Sequence, residues 1–439
     1  MLRLQRAVLV RTPLIGLLML GRHDQRIAAH LDGLAVAGPA GISHAAAALD
    51  EGIPGAAAAE AFALGVALVT LGDAKGLDAL ASRCGTQPDL QRGLASALGW
   101  VSADLLRGIV KHWLGSEAPD KRMSALAACA MHRVDPGPAL TPALAHPEPA
   151  VRTEALRTAG RVGRVDLLPG IGAAMTDGDA SVAFWAAWAA CRLGDRAASI
   201  NVLAETALST SAFADVALAL LMCALPEPKA QEFARHVSAT AAAEGTVARQ
   251  RLLVRTLGLL GDTRFVPWLI ERMDDPALAR PAGESFSWIT GADLSALQLE
   301  RLDGPPSPAA PASSAAPAGS APPQASRAAS QAEGGKSLPE AQAEDDEPIE
   351  LDADRDLPWP DAPRVARWWQ QQALAKAAPS QRCFMGREPG EAAWQHALRH
   401  GNQRQRAYAA LRLAVDQPTS RIFPVAAPVW RQRRWLGLG

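Results

Sequence analysis

Apolar residues recur at helical spacing through most of the first 300 positions. Four apolar residues at i, i+4, i+8 and i+11 lie on one stripe of a helix, and two such sets follow each other about 31 residues apart. The sets are Val151, Ala155, Ala159 and Val162, and Val182, Ala186, Ala190 and Leu193. The pattern predicts amphipathic helices that each bury one face.

A Leu-Gly-Asp tripeptide follows three of these helical runs, at 71–73, 193–195 and 260–262, and Val162-Gly163-Arg164 is a relaxed copy. A glycine just past a helix end can adopt the left-handed conformation that closes the last turn, and the following aspartate can cap the next helix. With weaker copies near 99, 135 and 226, the anchors have a mean spacing of about 31 residues. The repeating unit is therefore predicted to be helix, tight turn, helix.

A single helix hairpin cannot bury its apolar stripe alone, so neighbouring hairpins are expected to stack into a continuous core. We predict an all-α protein, an α-solenoid of stacked helix hairpins over residues 55–302, preceded by an N-terminal helical cap over 1–54. Residues 303–347 are rich in Pro, Ala and Ser and predict a disordered linker. Residues 348–439 predict a basic, Trp- and Arg-rich helical segment that packs on the solenoid, whose concave face is the expected binding surface.

Composition supports helices over strands, because half of the residues are apolar while only 5% are aromatic and alanine is abundant. The net charge of -1 hides an uneven distribution: residues 357–439 carry about +9 and the rest of the chain about -10. Helices are predicted at 363–376 and 391–415 within the basic segment.

The basic segment has three interpretations. Its tryptophans Trp359, Trp368 and Trp369 can cap the solenoid while the acidic stretch at 344–356 and the acidic repeats receive its arginines. It can instead bind a partner, or bind nucleic acid through phosphate contacts and base stacking. The candidate binding residues here are Arg404, Arg406, Trp430, Arg431, Arg433 and Arg434.

An aromatic cluster marks one repeat helix, where Trp185 and Trp188 lie beside Phe184. Such a cluster is typical of packing within or between repeats. The alternative is an aromatic anchor for a partner on the concave face, since tryptophans often dominate binding energy. We therefore keep Trp185 and Trp188 as candidate partner-binding residues.

No motif of enzyme chemistry is present: the sequence lacks a nucleophile elbow, a P-loop, a dinucleotide fingerprint and a zinc-protease motif. His396 and His400 stand at i, i+4, which can bind metal from one helix face, but no third ligand is evident. The five cysteines are widely spaced and fit buried, unpaired thiols in a reducing compartment. We predict no catalytic residues, no metal and no cofactor.

The cytoplasm is the predicted location. The apolar start of the chain is interrupted by Arg11 and Pro13 and leads into charged residues, so it is a poor secretory signal. No stretch approaches the roughly 20 apolar residues that a membrane-spanning helix needs.

The segment Pro147-Glu148-Pro149-Ala150-Val151-Arg152, followed by Ala155-Leu156 and Val162-Gly163, resembles the HEAT-like repeat shared with phycobilin-lyase-type repeat proteins. Motifs at 30–34, 288–291, 357–361 and 401–406 are similar to a proteobacterial family of HEAT-repeat proteins of unassigned function, some encoded near type VI secretion genes. The resemblance implies a helical repeat fold and a possible accessory role in type VI secretion.

Together these features predict a non-catalytic protein-protein interaction scaffold or adaptor whose partner is another protein. The first alternative is a nucleic-acid-binding solenoid that uses the basic C-terminal segment. The second alternative is an enzyme of bilin-lyase-like or other unrecognised type, which the repeat resemblance alone leaves open.

Overall fold

The computed structural model describes residues 1–305, 354–376 and 381–438. Apart from its first three residues, the predicted linker at 303–347 lies outside these ranges, as does the acidic stretch before Asp354. All regular elements of the described residues are helices. The described residues form three isolated β-bridges but no β-strand. The predicted all-α solenoid is confirmed.

Twenty-three α-helices follow one another along the described chain. They are α1 (Leu2–Leu9), α2 (Leu17–Val36), α3 (Pro39–Glu51), α4 (Ala57–Thr70), α5 (Ala74–Arg83), α6 (Pro88–Trp100), α7 (Ala103–Leu114), α8 (Pro119–His132), α9 (Leu140–Ala143), α10 (Pro149–Val162), α11 (Leu168–Ala174), α12 (Ala180–Arg192), α13 (Ala198–Leu208), α14 (Ala214–Ala224), α15 (Glu227–Glu244), α16 (Val247–Leu260), α17 (Val266–Arg272), α18 (Ala279–Thr290), α19 (Ala362–Gln371), α20 (Ala373–Lys376), α21 (Glu391–His400), α22 (Gln403–Asp416) and α23 (Val429–Trp435). Short 3-10 turns at Cys84–Thr86, Gly137–Ala139, Val165–Leu167 and Thr263–Phe265 join some of them.

The repeat helices form two layers. The even-numbered helices from α4 to α18 pack against one another in chain order and form the A layer. The odd-numbered helices from α5 to α17 lie beside them and form the B layer. Small residues allow the close approach within the A layer: a Cβ on Gly65 would lie 2.8 Å from that of Ala97, and one on Gly160 would lie 2.7 Å from the ring of Trp188.

The predicted turn chemistry is confirmed at the strong anchors. Gly72 has φ +74° after α4, and the side chain of Asp73 accepts a hydrogen bond from the Gly76 amide at the start of α5. Gly163 closes α10 with φ +85°. The weaker anchors differ, because α6 continues past Gly99 to Trp100 and the anchor near 226 has a proline that opens α15.

The helices predicted at 363–376 and 391–415 are each divided. Gln372 is extended and separates α19 from α20. Between α21 and α22, Asn402 caps α22 in a reciprocal pair with Gln405, and the Gln403 amide donates to the Ile15 carbonyl. The single long helix was wrong because this cap and a tertiary contact satisfy the amides that a continuous helix would use.

Candidate partner-binding surface

Residues 381–438, here called the C-terminal strap, follow the carboxyl ends of the A-layer helices. The Cys383 amide donates to the Gly261 carbonyl after α16 at 2.7 Å, and the Met385 amide donates to the Trp288 carbonyl of α18 at 2.7 Å. Farther along the strap, Arg412 donates to a carbonyl of α14. The strap therefore turns back at α18 and retraces the array toward its beginning.

Similar contacts between the strap and the helix ends continue toward the first repeats. Arg192 at the end of α12 donates to two strap carbonyls, those of Pro418 and Ser420. The Ile422 amide donates to the Arg161 carbonyl of α10 at 3.0 Å. At α6, Nη2 of Arg431 donates to the carbonyls of Gly99 and Val101, both at 2.9 Å.

The contacts in which the strap is the donor have one physical cause. The last carbonyls of a helix lack intrahelical partners and carry partial negative charge, so arginine side chains and backbone amides stabilise them. The excess of arginine in the strap is therefore used largely on backbone carbonyls rather than on carboxylates. Three strap arginines also pair with carboxylates: Arg404 with Glu284 at 2.8 Å, Arg412 with Asp416 at 3.6 Å and Arg382 with Glu227 at 3.9 Å.

The A layer curves so that its two ends are joined through Arg404. Its Nη1 donates to Glu284 of α18, and its Nε donates to the Arg11 carbonyl at 3.1 Å, just beyond α1. Helix α1 in turn bonds to α6 through Arg3 and Ser96 at 2.8 Å. The seven A-layer helices from α6 to α18 would extend roughly 55 Å if they lay in a straight row. The series of contacts that joins α18 to α6 through Arg404 and α1 spans much less than this, so the row is curved.

The inside of this curve is occupied by the strap. Helix α22 begins between the two ends of the array, at Gln403 and Arg404, and packs on α14 in its middle. The rings of Trp394 and Tyr408 from the strap join Trp288 of α18, with Trp288 and Tyr408 centroids 5.3 Å apart. The expected concave binding face is thus covered by the chain itself.

The tryptophans of α12 lie in the core. Trp185 is 4% exposed and Trp188 is 6% exposed. The Trp185 ring contacts Trp188 at 5.4 Å and Phe213 at 6.2 Å, and the Arg157 guanidinium lies 4.9 Å from it. Because α10 and α14 enclose α12, these two tryptophans do not offer the exposed anchor that a partner-binding role requires.

The candidate binding residues of the basic segment differ in how far they are buried. Arg406 and Arg431 are buried, and burial lowers the pKa of Arg406 to about 10. Arg404 is engaged with Glu284 and the Arg11 carbonyl. All three therefore hold the strap in place, and Arg406 and Arg431 are too buried for a partner to reach, whereas the Arg404 side chain is 26% exposed.

The other three candidates, Trp430, Arg433 and Arg434, are exposed and lie on α23. Trp430 and Arg433 line a groove between α2 and α23 with a cavity volume of about 710 Å³, here called the α2–α23 groove. Its apolar lining residues, here called the floor, are Leu17, Leu18, Trp100, Val429, Trp430 and Leu438. An exposed fraction of 41% makes Trp430 accessible from solvent.

The rim of the α2–α23 groove is positively charged. Arg22, Arg399 and Arg433 line it, and among the described residues none of the three pairs with a carboxylate. The acid on the groove wall, Asp24, is buried and neutralised by Arg6 at 2.7 Å, and its carboxylate also accepts from the Val429 amide. The groove therefore combines an apolar floor with three exposed guanidinium groups, of which those of Arg399 and Arg433 also donate to backbone carbonyls.

Sequence patterns identified only Trp430 and Arg433 among the residues that line this groove. Leu17 and Leu18 were read only as part of a poor secretory signal, and Arg22 and Arg399 were not singled out. The available signal was the stretch Leu17-Leu18-Met19-Leu20, which carries more apolar residues than one buried stripe needs.

Within the described residues, no group of three His, Cys, Asp or Glu side chains could hold a metal ion. The rings of His396 and His400 are 4.6 Å apart, and burial, Arg387 and His400 lower the pKa of His396. All five cysteines are buried and unpaired, as predicted, and burial raises the pKa of Cys84, Cys129 and Cys223 to about 12. A thiol held in this way is unreactive at neutral pH.

The helix pairs from the turn before α9 through α14 are similar in sequence to a known repeat. Residues 137–223 match the family model for HEAT repeats. This segment includes the Pro147 to Gly163 motif, and its paired, stacked helices are HEAT-like. No curated protein and no solved structure matches the chain. In the described residues, no helix is long and apolar enough to cross a membrane.

Proposed function

We propose that the protein is a non-catalytic scaffold that binds another protein through the α2–α23 groove. The observation that carries this proposal is the exposed ring of Trp430 in a groove with Arg22, Arg399 and Arg433, which pair with no carboxylate in the part of the chain that the structure describes. Tryptophan and arginine together in a concave patch are the residue types that most often dominate binding energy at protein interfaces.

The HEAT-like repeats support the same class of function, since stacked helical repeats present extended surfaces for protein partners. Here the strap packs on the A layer, and the α2–α23 groove is an accessible concave surface beside it. A cytoplasmic setting and a partner from a type VI secretion apparatus are further parts of the proposal. They rest on the sequence and on the family resemblance alone.

Affinity capture with the full-length chain tests the proposal. The bait is compared with Trp430→Ala in a nuclease-treated lysate of the source organism, and bound proteins are identified by mass spectrometry. Trp435→Ala is the matched control, because Trp435 is 40% exposed on the same helix but does not line the groove. We expect a stoichiometric partner that Trp430→Ala loses and Trp435→Ala retains. A partner retained equally by both variants would contradict the groove.

Nucleic acid is the second candidate. It is favoured by the guanidinium of Arg434, which lies 5.6 Å from the Trp430 ring centre in an arrangement that can also stack a base. Fluorescence titration with a single-stranded oligonucleotide at two salt concentrations decides this. Binding that requires Trp430 and weakens steeply with salt would favour nucleic acid over the scaffold.

A further inference from the structure

We infer that the α2–α23 groove takes an acidic amphipathic helix of a partner protein. The inference rests on the proposed function and adds the chemistry of the binding segment. It follows from the shape of the floor, the charge of the rim and the spacing of the residues that α2 presents.

The floor of the groove can accommodate one helix. The α2 residues that line the groove fall at positions 17, 18, 21, 22, 24, 25 and 28, which lie along one side of the helix. This stripe is about 17 Å long, or three helical turns. Helix α23 lies along its other side through Val429, Trp430 and Arg433. A third helix laid between α2 and α23 would fill the groove in the way helices pack on each other.

The rim specifies the charge of that helix. Arg22, Arg399 and Arg433 are exposed, and none pairs with a carboxylate in the described residues. Guanidinium groups bind carboxylates through paired hydrogen bonds, so Asp and Glu beside the apolar stripe of the ligand would be favoured. A basic helix would be repelled, because the groove's own acid, Asp24, is neutralised by Arg6.

The shape favours a peptide over a membrane surface. The ring of Trp100 is half-buried in the groove lining, whereas the three guanidinium groups are exposed. A flat bilayer would meet the edges and leave the floor uncovered, whereas a helix about 10 Å wide can enter. Nucleic acid would gain phosphate contacts at the edges but would leave the apolar stripe of α2 in contact with phosphate or water.

Selection from a display library of helical 18-residue peptides on the full-length protein tests the inference. We expect enriched peptides with apolar residues at i, i+3 or i+4, and i+7, flanked by Asp or Glu. Dissociation constants of the best peptide are then measured by fluorescence anisotropy. Trp430→Ala and Arg433→Glu should each weaken binding by at least about tenfold, because each removes a central contact.

Two control variants make the result specific to the groove. Trp435→Ala and Arg421→Glu alter exposed residues of the same types outside the groove, and we expect each to change binding less than about twofold. If Trp430→Ala lowers the melting temperature, Arg433→Glu remains decisive, since Arg433 is exposed. A peptide in which one Glu is replaced by Lys should recover affinity for Arg433→Glu by charge reversal.

Enriched peptides without acidic bias, or binding unaffected by both groove variants, would overturn the inference. Trp430-dependent binding of phosphatidylglycerol vesicles or of an oligonucleotide, with no peptide selected, would also overturn it. The scaffold proposal fails separately: it is contradicted when affinity capture finds no protein that depends on Trp430. A captured partner whose crosslinked segment is not acidic refutes the acidic helix and leaves the scaffold intact.

Discussion

Arg404 of α22 and Glu284 of α18 form a 2.8 Å ion pair across 120 positions of the chain. The same guanidinium donates to the Arg11 carbonyl, so one side chain joins the strap, the last repeat and the N-terminal region. Both partners are largely shielded, with Glu284 14% exposed at its side chain. A contact between the strap and the last repeat thus helps to fix the curvature of the array.

Removal of Arg404 is expected to destabilise the closed array. Arg404→Ala leaves the Glu284 carboxylate without its partner in a mostly buried position, and we expect a loss of about 2 kcal/mol. Thermal melting followed by circular dichroism measures the effect. Arg421→Ala, an exposed arginine of the strap, is the control. A double variant with Glu284→Ala should be less destabilised than the sum of the two, and simple additivity would contradict the coupling.

An added methyl group at Gly163 is expected to lower the stability of the protein strongly, because the strap packs against this glycine. It has φ +85°, and a Cβ there would lie 2.7 Å from the Ser420 carbonyl oxygen. Gly163→Ala should cost about 3 kcal/mol, from the left-handed conformation together with displacement of the strap. Gly52→Ala has a similar positive φ with open space around it and should cost only about 1 kcal/mol.

Hydrogen exchange locates the effect of Gly163→Ala. The Ile422 amide, which donates to the Arg161 carbonyl, should exchange faster in this variant and remain protected in Gly52→Ala. Equal protection in both variants would show that the strap does not depend on its contact with Gly163.

Arg431 and Arg433 are two residues apart and are expected to differ sharply in their effect on stability. Arg431→Met leaves the carbonyls of Gly99 and Val101 without their donor in a buried place, and we expect a loss of about 3 kcal/mol. Arg433→Met should change stability by less than about 0.5 kcal/mol, since that side chain is exposed. Chemical denaturation of both variants at one pH measures this, and equal losses would contradict the assignment.

Acid is expected to destabilise the protein through His132. Burial, with the nearby charges of Arg431 and Arg133, lowers its pKa to about 4, while Nε2 donates to the Leu98 carbonyl at 2.7 Å. Since the pKa in the unfolded chain is near 6.5, the unfolded state binds a proton that the folded state does not. Stability is therefore retained above about pH 6.5 and lost progressively as the pH falls toward 4, by on the order of 2 kcal/mol at pH 5.

Thermal melting between pH 7.5 and pH 5 checks this prediction. His132→Gln should show a shallower loss of stability than the unmodified protein over that interval, because it removes the proton uptake of the unfolded state. His44→Gln, an exposed histidine of α3, is the control and should leave the slope unchanged. Identical slopes for His132→Gln and the unmodified protein would contradict the role of His132.

The sequence by itself determined the repeat. The apolar stripes, the glycine at φ +74° after α4 and the Asp73 cap are local features, each set by a few adjacent residues. Features of this kind can be predicted from the sequence because they depend on adjacent residues and not on the rest of the fold. The same reasoning overlooked the break at Asn402, since the amide of Gln403 is satisfied by Ile15, almost 400 positions away.

Only the tertiary structure decided which residues are exposed at the candidate surface. In the run from Trp430 to Arg434, Arg431 is buried against α6 while Trp430 and Arg433 line the groove. Adjacent arginines have identical chemistry, and their roles depend on which helix end lies within reach of each. That placement follows from pairings between the strap and carbonyls about 330 positions away, which no periodicity in the sequence records.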